Sequence, residues 1–225
     1  MRLTEISEQA NNPAVFTFGR FNPPTIGHGK LLDKVASVRS DAKHYIFVSH
    51  TTDPKKNPLD YDTKISFMKR QFGKYTSEIV QNEGIRTIID IMQYLEQQGH
   101  DGVIMVAGSD RVKSFNDLLQ KYNGQEYNFD KIIVTSAGDR DPDSEGVEGA
   151  SASKAREAAS QGNIKAFAQM VQGPEQLVKD LYASVRLGMG MKEEAAGVGI
   201  VTKQNTTKDV NKGTLKKMMK KLRLA

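Results

Sequence analysis

The chain has no cysteine in its 225 residues. That absence excludes a disulfide framework and thiolate chemistry, and it makes a reducing, cytoplasmic setting the expectation. Also missing is any apolar run near the roughly 18 residues that a membrane-spanning helix needs. The opening stretch, MRLTEISEQANNPAV, has no apolar segment of the signal-peptide kind. No internal repeat is visible. His44, His50 and His100 fall at no spacing that suggests a metal, and they read as structural or surface residues. The acid-rich stretch GDRDPDSEG lacks the full calcium-loop pattern, so it reads as a solvated loop lying over a site rather than a metal cluster.

What remains is the composition of a globular protein, 38% hydrophobic and 26% charged, with the length of one domain plus an appendage. The net charge of +5 is unevenly spread. Residues 203–225 hold eight bases and one acid, a net of +7, which leaves −2 for residues 1–202. The basicity is therefore a tail and the body is near neutral.

Four short, nearly continuous apolar runs recur along the body: AVFTF (14–18), HYIFVS (44–49), GVIMVA (102–107) and KIIVTS (131–136). Continuous rather than alternating apolarity predicts strands buried on both faces, as in a parallel sheet. Helical patterns lie between them, in HGKLLDKVASV, YDTKISFMKRQFGKY, IRTIIDIMQYLEQQG and SDRVKSFNDLLQKYNG. Ser109 is the expected N-cap of the last of these and Gly124 its stop. SASKAREAASQGN, IKAFAQMV and EQLVKDLYASVRLGM predict a helical end to the domain. This alternation is that of an α/β fold, with ligands beyond the carboxyl ends of the strands. The expected boundaries are a domain over 13–187, a small-residue linker over 188–213, and a basic amphipathic helix over 214–225. In that helix Leu215, Met218, Met219 and Leu222 share one face.

The most informative stretch is FTFGRFNPPTIGHGKLL (16–32). A strand ends at Gly19, where a small residue would let a ligand approach the backbone. Pro23 and Pro24 stiffen the loop, and Gly27 allows a tight entry to a helix expected to begin near His28. Strand, rigid loop and helix N-terminus together make an anion site. His28, Thr25 and Lys30 could each reach phosphate oxygens there. Taken alone, His28 could equally be a helix cap.

The string Gly19, Phe21, Asn22, Pro23, Thr25, Gly27, His28 resembles the G-x-F-N-P-x-T-x-G-H signature of the nucleotidyltransferase superfamily. That superfamily includes the adenylyltransferases of nicotinamide mononucleotide, pantetheine phosphate and FMN, and the cytidylyltransferases. A later stretch, ASASKAR (150–156), is similar to the family's I-S-S-T-x-I-R at Ser151, Ser153 and Arg156, with Ala152 in place of a serine. MVQGPEQLVKDLY loosely resembles the V-P-x-x-V-x-x-Y pattern near the end of nicotinamide-mononucleotide adenylyltransferases.

The resemblance covers about residues 13–187 and implies a Rossmann-like, doubly wound sheet of about five parallel strands. It implies transfer of a nucleotidyl group from ATP or CTP to a phosphorylated acceptor, first choice nicotinamide mononucleotide, with Mg²⁺ held mainly by the phosphates. On the family pattern His28, Thr25 and Arg156 would be catalytic. Gly19, Arg20, Phe21, Asn22, Gly27, Lys30, Lys56, Ser151 and Ser153 would bind nucleotide and phosphate. Gly108 and Asp110 would face the acceptor or ribose; Lys55 and Lys56 could equally be a solvated pair. A cytidylyl reading draws on DSEGVEGASASKAR as a distorted R-T-x-G-I-S-T-S/T stretch, but the Arg-Thr pair is missing. A non-catalytic binding or assembly protein on the same scaffold is the remaining alternative, motivated by the tail at 203–225, which could contact protein or nucleic acid. A homo-oligomer is compatible with all of these.

Overall fold

Each of the four continuous apolar runs is a strand in the computed structural model, which describes residues 10–138 and 151–191. The strands are β1 (Pro13–Gly19), β2 (Lys43–Val48), β3 (Gly102–Ala107) and β4 (Lys131–Ser136). They form one parallel sheet in the order β2-β1-β3-β4. The expected count of about five becomes, among the described residues, four strands and a fragment. Ile79 makes a single parallel bridge to Ile46 at the outer edge of β2, through Ile46 N–H to Glu78 O (2.8 Å) and Val80 N–H to Ile46 O (3.0 Å).

Helices α1 (Ile26–Val38), α2 (Tyr61–Gln71), α3 (Ile88–Gln97) and α4 (Val112–Tyr122) cover the sheet, and α5 (Ala152–Ser160), α6 (Ile164–Met170) and α7 (Glu175–Gly188) follow it. Alternate strand residues feed two cores. Phe16, Phe47, Val103 and Met105 pack on Ile91, Met92 and Leu95 of α3 and Leu119 of α4. On the other face Val15, Ile104 and Val106 meet Val35 of α1, while Ile46 and Val48 meet Leu32 of α1 and Ile65 and Met68 of α2. Burial on both faces explains why these strands lack polar alternation. This is an α/β, Rossmann-like fold.

A further cluster joins the last three helices to α2 and the loop before it. Ala155, Ala158 and Ala159 of α5, Phe167 of α6 and Leu177, Leu181 and Val185 of α7 pack together with Phe67 of α2 and Leu59 of the loop before α2. The alanines of ASASKAREAAS are thus the close-packing face of α5. An Arg70–Asp180 ion pair (2.7 Å) ties α2 to α7 at the surface.

Helix α1, expected to begin near His28, begins at Ile26, with Thr25 as its N-cap and Gly27 inside the first turn. One local expectation changes. Ser109 does not cap α4. It opens a 3₁₀ turn, Ser109–Arg111, and Arg111 occupies the cap position without a side-chain bond. Gly124, at φ 79°, does end α4 in the left-handed conformation that glycine accepts. The acidic stretch 139–150, most of the expected linker and the basic helix 214–225 lie outside the described residues. No described helix is long and apolar enough to cross a membrane.

Gly188, at the last residue of α7, lies against the carbonyl of Pro58, and a Cβ built there would fall far inside van der Waals contact with that oxygen. Backbone cannot swing aside as a side-chain tip can. Gly188→Ala is expected to lower stability by about 1–3 kcal/mol through this overpacking; a urea melt unchanged from wild type would show the contact to be unimportant.

Candidate active site

Strand β1 has β2 on one side and β3 on the other. The chain leaves β1 into α1 on one face of the sheet, and leaves β3 into α4 on the opposite face. In open α/β sheets such a reversal marks the ligand-binding crevice, here at the carboxyl ends of β1 and β3. The Gly19–His28 loop leaves β1 at that edge, and Gly108 and Asp110 leave β3 there.

Gly19 is required for a reason internal to the protein. A Cβ there would lie 2.9 Å from the ring of Phe21, which folds back over it. The Phe21 ring thus occupies the space a side chain at position 19 would take. Phe21 takes a positive φ of 45°, unfavourable for a residue with a side chain. Its wholly buried ring, packed in the α1–α2 core and 4.8 Å from the His28 ring, holds it there.

Asn22 also turns inward. Its side chain grips Leu59 from both sides: Nδ2 donates to Leu59 O (2.9 Å), and Leu59 N–H donates to Oδ1 (3.0 Å). The pair is buried, where a lost partner costs about 1–3 kcal/mol. The peptide between Asn22 and Pro23 is cis. Phe21 and Asn22 thus both meet protein, and both are buried.

Thr25 and His28 form a capping pair. The Thr25 N–H donates to His28 Nδ1 (3.0 Å), and the Thr25 hydroxyl lies 3.0 Å from the same nitrogen. Because a backbone N–H can only donate, Nδ1 is the acceptor and the proton of the neutral ring sits on Nε2. The capping reading of His28 is met through Nδ1.

The second motif reaches this loop. Ser151 N-caps α5, accepting from Lys154 N–H (3.0 Å). Arg156, one turn on, donates from Nη1 to the carbonyl of Asn22 (2.6 Å) and from Nη2 to Ser153 Oγ (3.2 Å). Burial, then the like charge of Arg20, press the Arg156 pKa down, while Asp53 opposes them. Arg20, Arg156 and Asp53 are thus neighbours. Arg20, Lys30 and Lys56 are exposed. Asp110 is exposed too, with its carboxylate folded over Gly108.

Three contributors have no counterpart in the motifs. Leu59 carries the clasp. Asp53 shapes the loop holding Lys55 and Lys56: its carboxylate accepts both their amides (3.0 and 2.7 Å) and Asn57 Nδ2 (2.5 Å). Those bonds, the Lys56 amide foremost, hold its carboxyl below the usual range. Lys64 on α2 is wholly buried. Its ammonium donates to the carbonyls of Ser49 and Thr51, just past β2. Lys64 lies four residues before Met68, so the helical spacing that marked Met68 as core would have marked Lys64 as buried too.

The other histidines are structural. His100 is bracketed by the Tyr45 hydroxyl (2.8 Å) and Asn12 O (3.0 Å) at the amino end of the sheet. His44 bonds Arg39 O, and His50 stacks on Tyr61 at 3.8 Å. Among the described residues no three His, Asp or Glu side chains converge to hold a metal.

The family model that matches the chain, together with the capped loop and the arginine brought to it from α5, places it among the nucleotidyltransferases. The chain belongs to the cytidylyltransferase-like family, whose model matches residues 16–158, from β1 to the end of α5's arginine turn. No curated protein sequence matches it. Among solved structures it is similar to the nicotinic acid mononucleotide adenylyltransferase of Plasmodium falciparum complexed with NaAD. The TM-score is 0.53 at 14% identity, over 79% of this chain and 98% of that one. A putative nicotinate-nucleotide adenylyltransferase from Vibrio parahaemolyticus overlaps with a TM-score of 0.48 at 13% identity, over 76% and 98% of the two chains. At these identities the overlap with the Plasmodium protein shows a shared fold.

Burial sets the pH response of Lys64. It pushes the ammonium pKa down to about 8 from 10.5, with Asp60 partly offsetting it. Between those values the unfolded chain binds more protons than the folded one, so stability rises with pH across this window and is flat below it. Relative to Lys64→Met, wild type is expected to gain up to about 3 kcal/mol between about pH 7 and about pH 10.5. Urea melts of both proteins at the two ends check this, and parallel pH dependences would contradict it.

Proposed function

We propose that the protein is an adenylyltransferase that joins the AMP moiety of ATP to a phosphorylated acceptor, with nicotinamide mononucleotide as the first choice. The observation that carries this reading is the Arg156–Asn22 contact. It sets a guanidinium from α5 on the loop that leaves β1, beside Arg20. Two neighbouring guanidinium groups repel, and an anion between them relieves that repulsion. A triphosphate has the charge and the length to use the whole set.

In the proposed reaction an acceptor phosphate oxygen attacks the α-phosphorus of the triphosphate. A new P–O bond forms, the bond to the β-bridging oxygen breaks, and pyrophosphate leaves with that electron pair. No covalent intermediate on the protein is needed. Catalysis then consists of holding the reactants in line and stabilising charge on the transferring phosphorus. His28, fixed by Thr25 with its proton on Nε2, would donate to an α-phosphate oxygen. Arg156 and the Ser151-capped start of α5 would hold the departing pyrophosphate. Lys30, Lys56 and Arg20 add positive charge at the rim, and Asp110 and Gly108 at the end of β3 are the proposed acceptor or ribose contacts. The site fits Mg²⁺ carried by phosphate oxygens and water, because the groups around it are cations and amides rather than a carboxylate cage. When bound, the ion would neutralise phosphate charge.

The adenylyl choice draws on the Plasmodium protein of the same fold, named for adenylyl transfer to a pyridine mononucleotide. The family's own name favours cytidylyl transfer as the second reading. Pyrophosphate release, measured for ATP and CTP against nicotinamide mononucleotide, pantetheine phosphate, FMN and other phosphorylated acceptors, separates them. Activity with CTP alone overturns the adenylyl choice, and no release with any pair favours a binding protein on this scaffold. His28→Ala is expected to lower kcat by about 10²–10³ with little change in fold, as for loss of an oxyanion donor. Unchanged turnover would remove His28 from the mechanism.

A further inference from the structure

We propose that Lys64 is a positioning residue of the polyphosphate site, whose buried ammonium anchors the backbone beyond β2 to the Gly19 loop and adds positive potential beneath the bound triphosphate. The inference rests on reading the Gly19–His28 loop as the triphosphate seat.

Its geometry sets Lys64 apart. Among the described residues it is the only lysine or arginine that is buried, at 0% exposure. Its partners are backbone carbonyls, not a carboxylate. One of them belongs to Ser49, whose own N–H donates to Gly19 O (2.9 Å). A single residue of backbone therefore separates the ammonium from the start of the phosphate loop. Through this link Lys64 holds the segment 49–51 in register with Gly19, past the point where the β1–β2 ladder ends at Gly19 and Val48.

The charges around Lys64 do not neutralise it. Asp60, the acid whose charge reaches it, spends a carboxylate oxygen on Thr63 N–H (2.8 Å) at the start of α2. Asp53, on the loop after β2, is occupied by two backbone amides and Asn57. His50, next to Ser49, is stacked on Tyr61. A buried cation without a bonded carboxylate is costly, and a neutral donor could cap the same carbonyls at less expense. The positive charge gains a purpose when an anion enters the crevice above it. The lowered pKa of Lys64 is the mark of this unpaid burial, and a bound triphosphate would raise it again.

Binding of Mg·ATP and Mg·CTP, measured by calorimetry from about pH 7 to about pH 9.5 on wild type, Lys64→Arg and Lys64→Met, tests the proposal. Wild type is expected to lose about tenfold in affinity for the preferred nucleotide over this range, as one unit of pKa coupling requires. Lys64→Arg, which keeps its charge throughout, is expected to show no such loss. Lys64→Met is expected to start about tenfold weaker and to stay flat. A flat wild-type profile, the same loss in Lys64→Arg, or wild-type affinity in Lys64→Met near pH 7 would each overturn it. If the variants do not fold, the Lys64 pKa in ¹³Cε-lysine-labelled wild type decides: it must rise on nucleotide addition, and an unchanged value overturns the proposal. Failure of wild type to bind either nucleotide would instead refute the triphosphate seat itself, and this inference with it.

Discussion

The two-sided grip of Asn22 on the backbone of Leu59 is the constraint on which the site depends. Leu59 belongs to two structures at once. Its side chain is buried in the core of α5, α6 and α7, and its peptide groups are clasped by the loop that leaves β1. The joint couples a helical layer built late in the chain to a loop built early in it. Arg156 completes the coupling by taking the carbonyl of the same asparagine. The Asn22 side chain and carbonyl and the Leu59 N–H and carbonyl are all paired, so a shift of one element would expose buried donors and acceptors on another.

The same economy runs through the loop. Phe21 fills the space that Gly19 leaves and bears on the His28 ring. Thr25 turns the His28 ring by its Nδ1 and starts α1 in the same stroke. Side chains that match the motif are thus mostly spent on holding the backbone still, with the guanidinium groups of Arg20 and Arg156 set beside them. A reaction that proceeds by in-line displacement needs little more, because its barrier is lowered by placement and by fixed charge.

Electrostatically the loop after β1 gathers like charges. Arg20 and Arg156 stand close enough for one to depress the other, and Lys64 is buried on carbonyls alone. Arrangements of this kind cost stability in the empty protein and are offset when an anion binds. The near-neutral body of the chain makes the concentration of positive charge at this one edge a local feature, independent of the basic tail.

Much of this was legible in one dimension. Continuous apolar runs such as GVIMVA can only be strands covered on both faces, and the helical patterns between them dictate a parallel sheet with ligands at its carboxyl ends. The loop's residue types likewise announce a capped helix behind a stiff turn. These follow from local chemistry and periodicity, which a sequence carries in full. The roles of Phe21, Asn22, Leu59, Lys64 and Gly188 were not legible, because each depends on what lies opposite it, between 2 and about 130 residues away along the chain. Glycine at 19 and at 188 suggests freedom of the backbone, yet both are glycine because another part of the protein occupies the space of a side chain. Residue types and their spacing determined the elements and the chemistry available; only the packing of those elements decided which groups are spent on structure and which remain to act, since burial and pairing are properties of contacts distant in sequence.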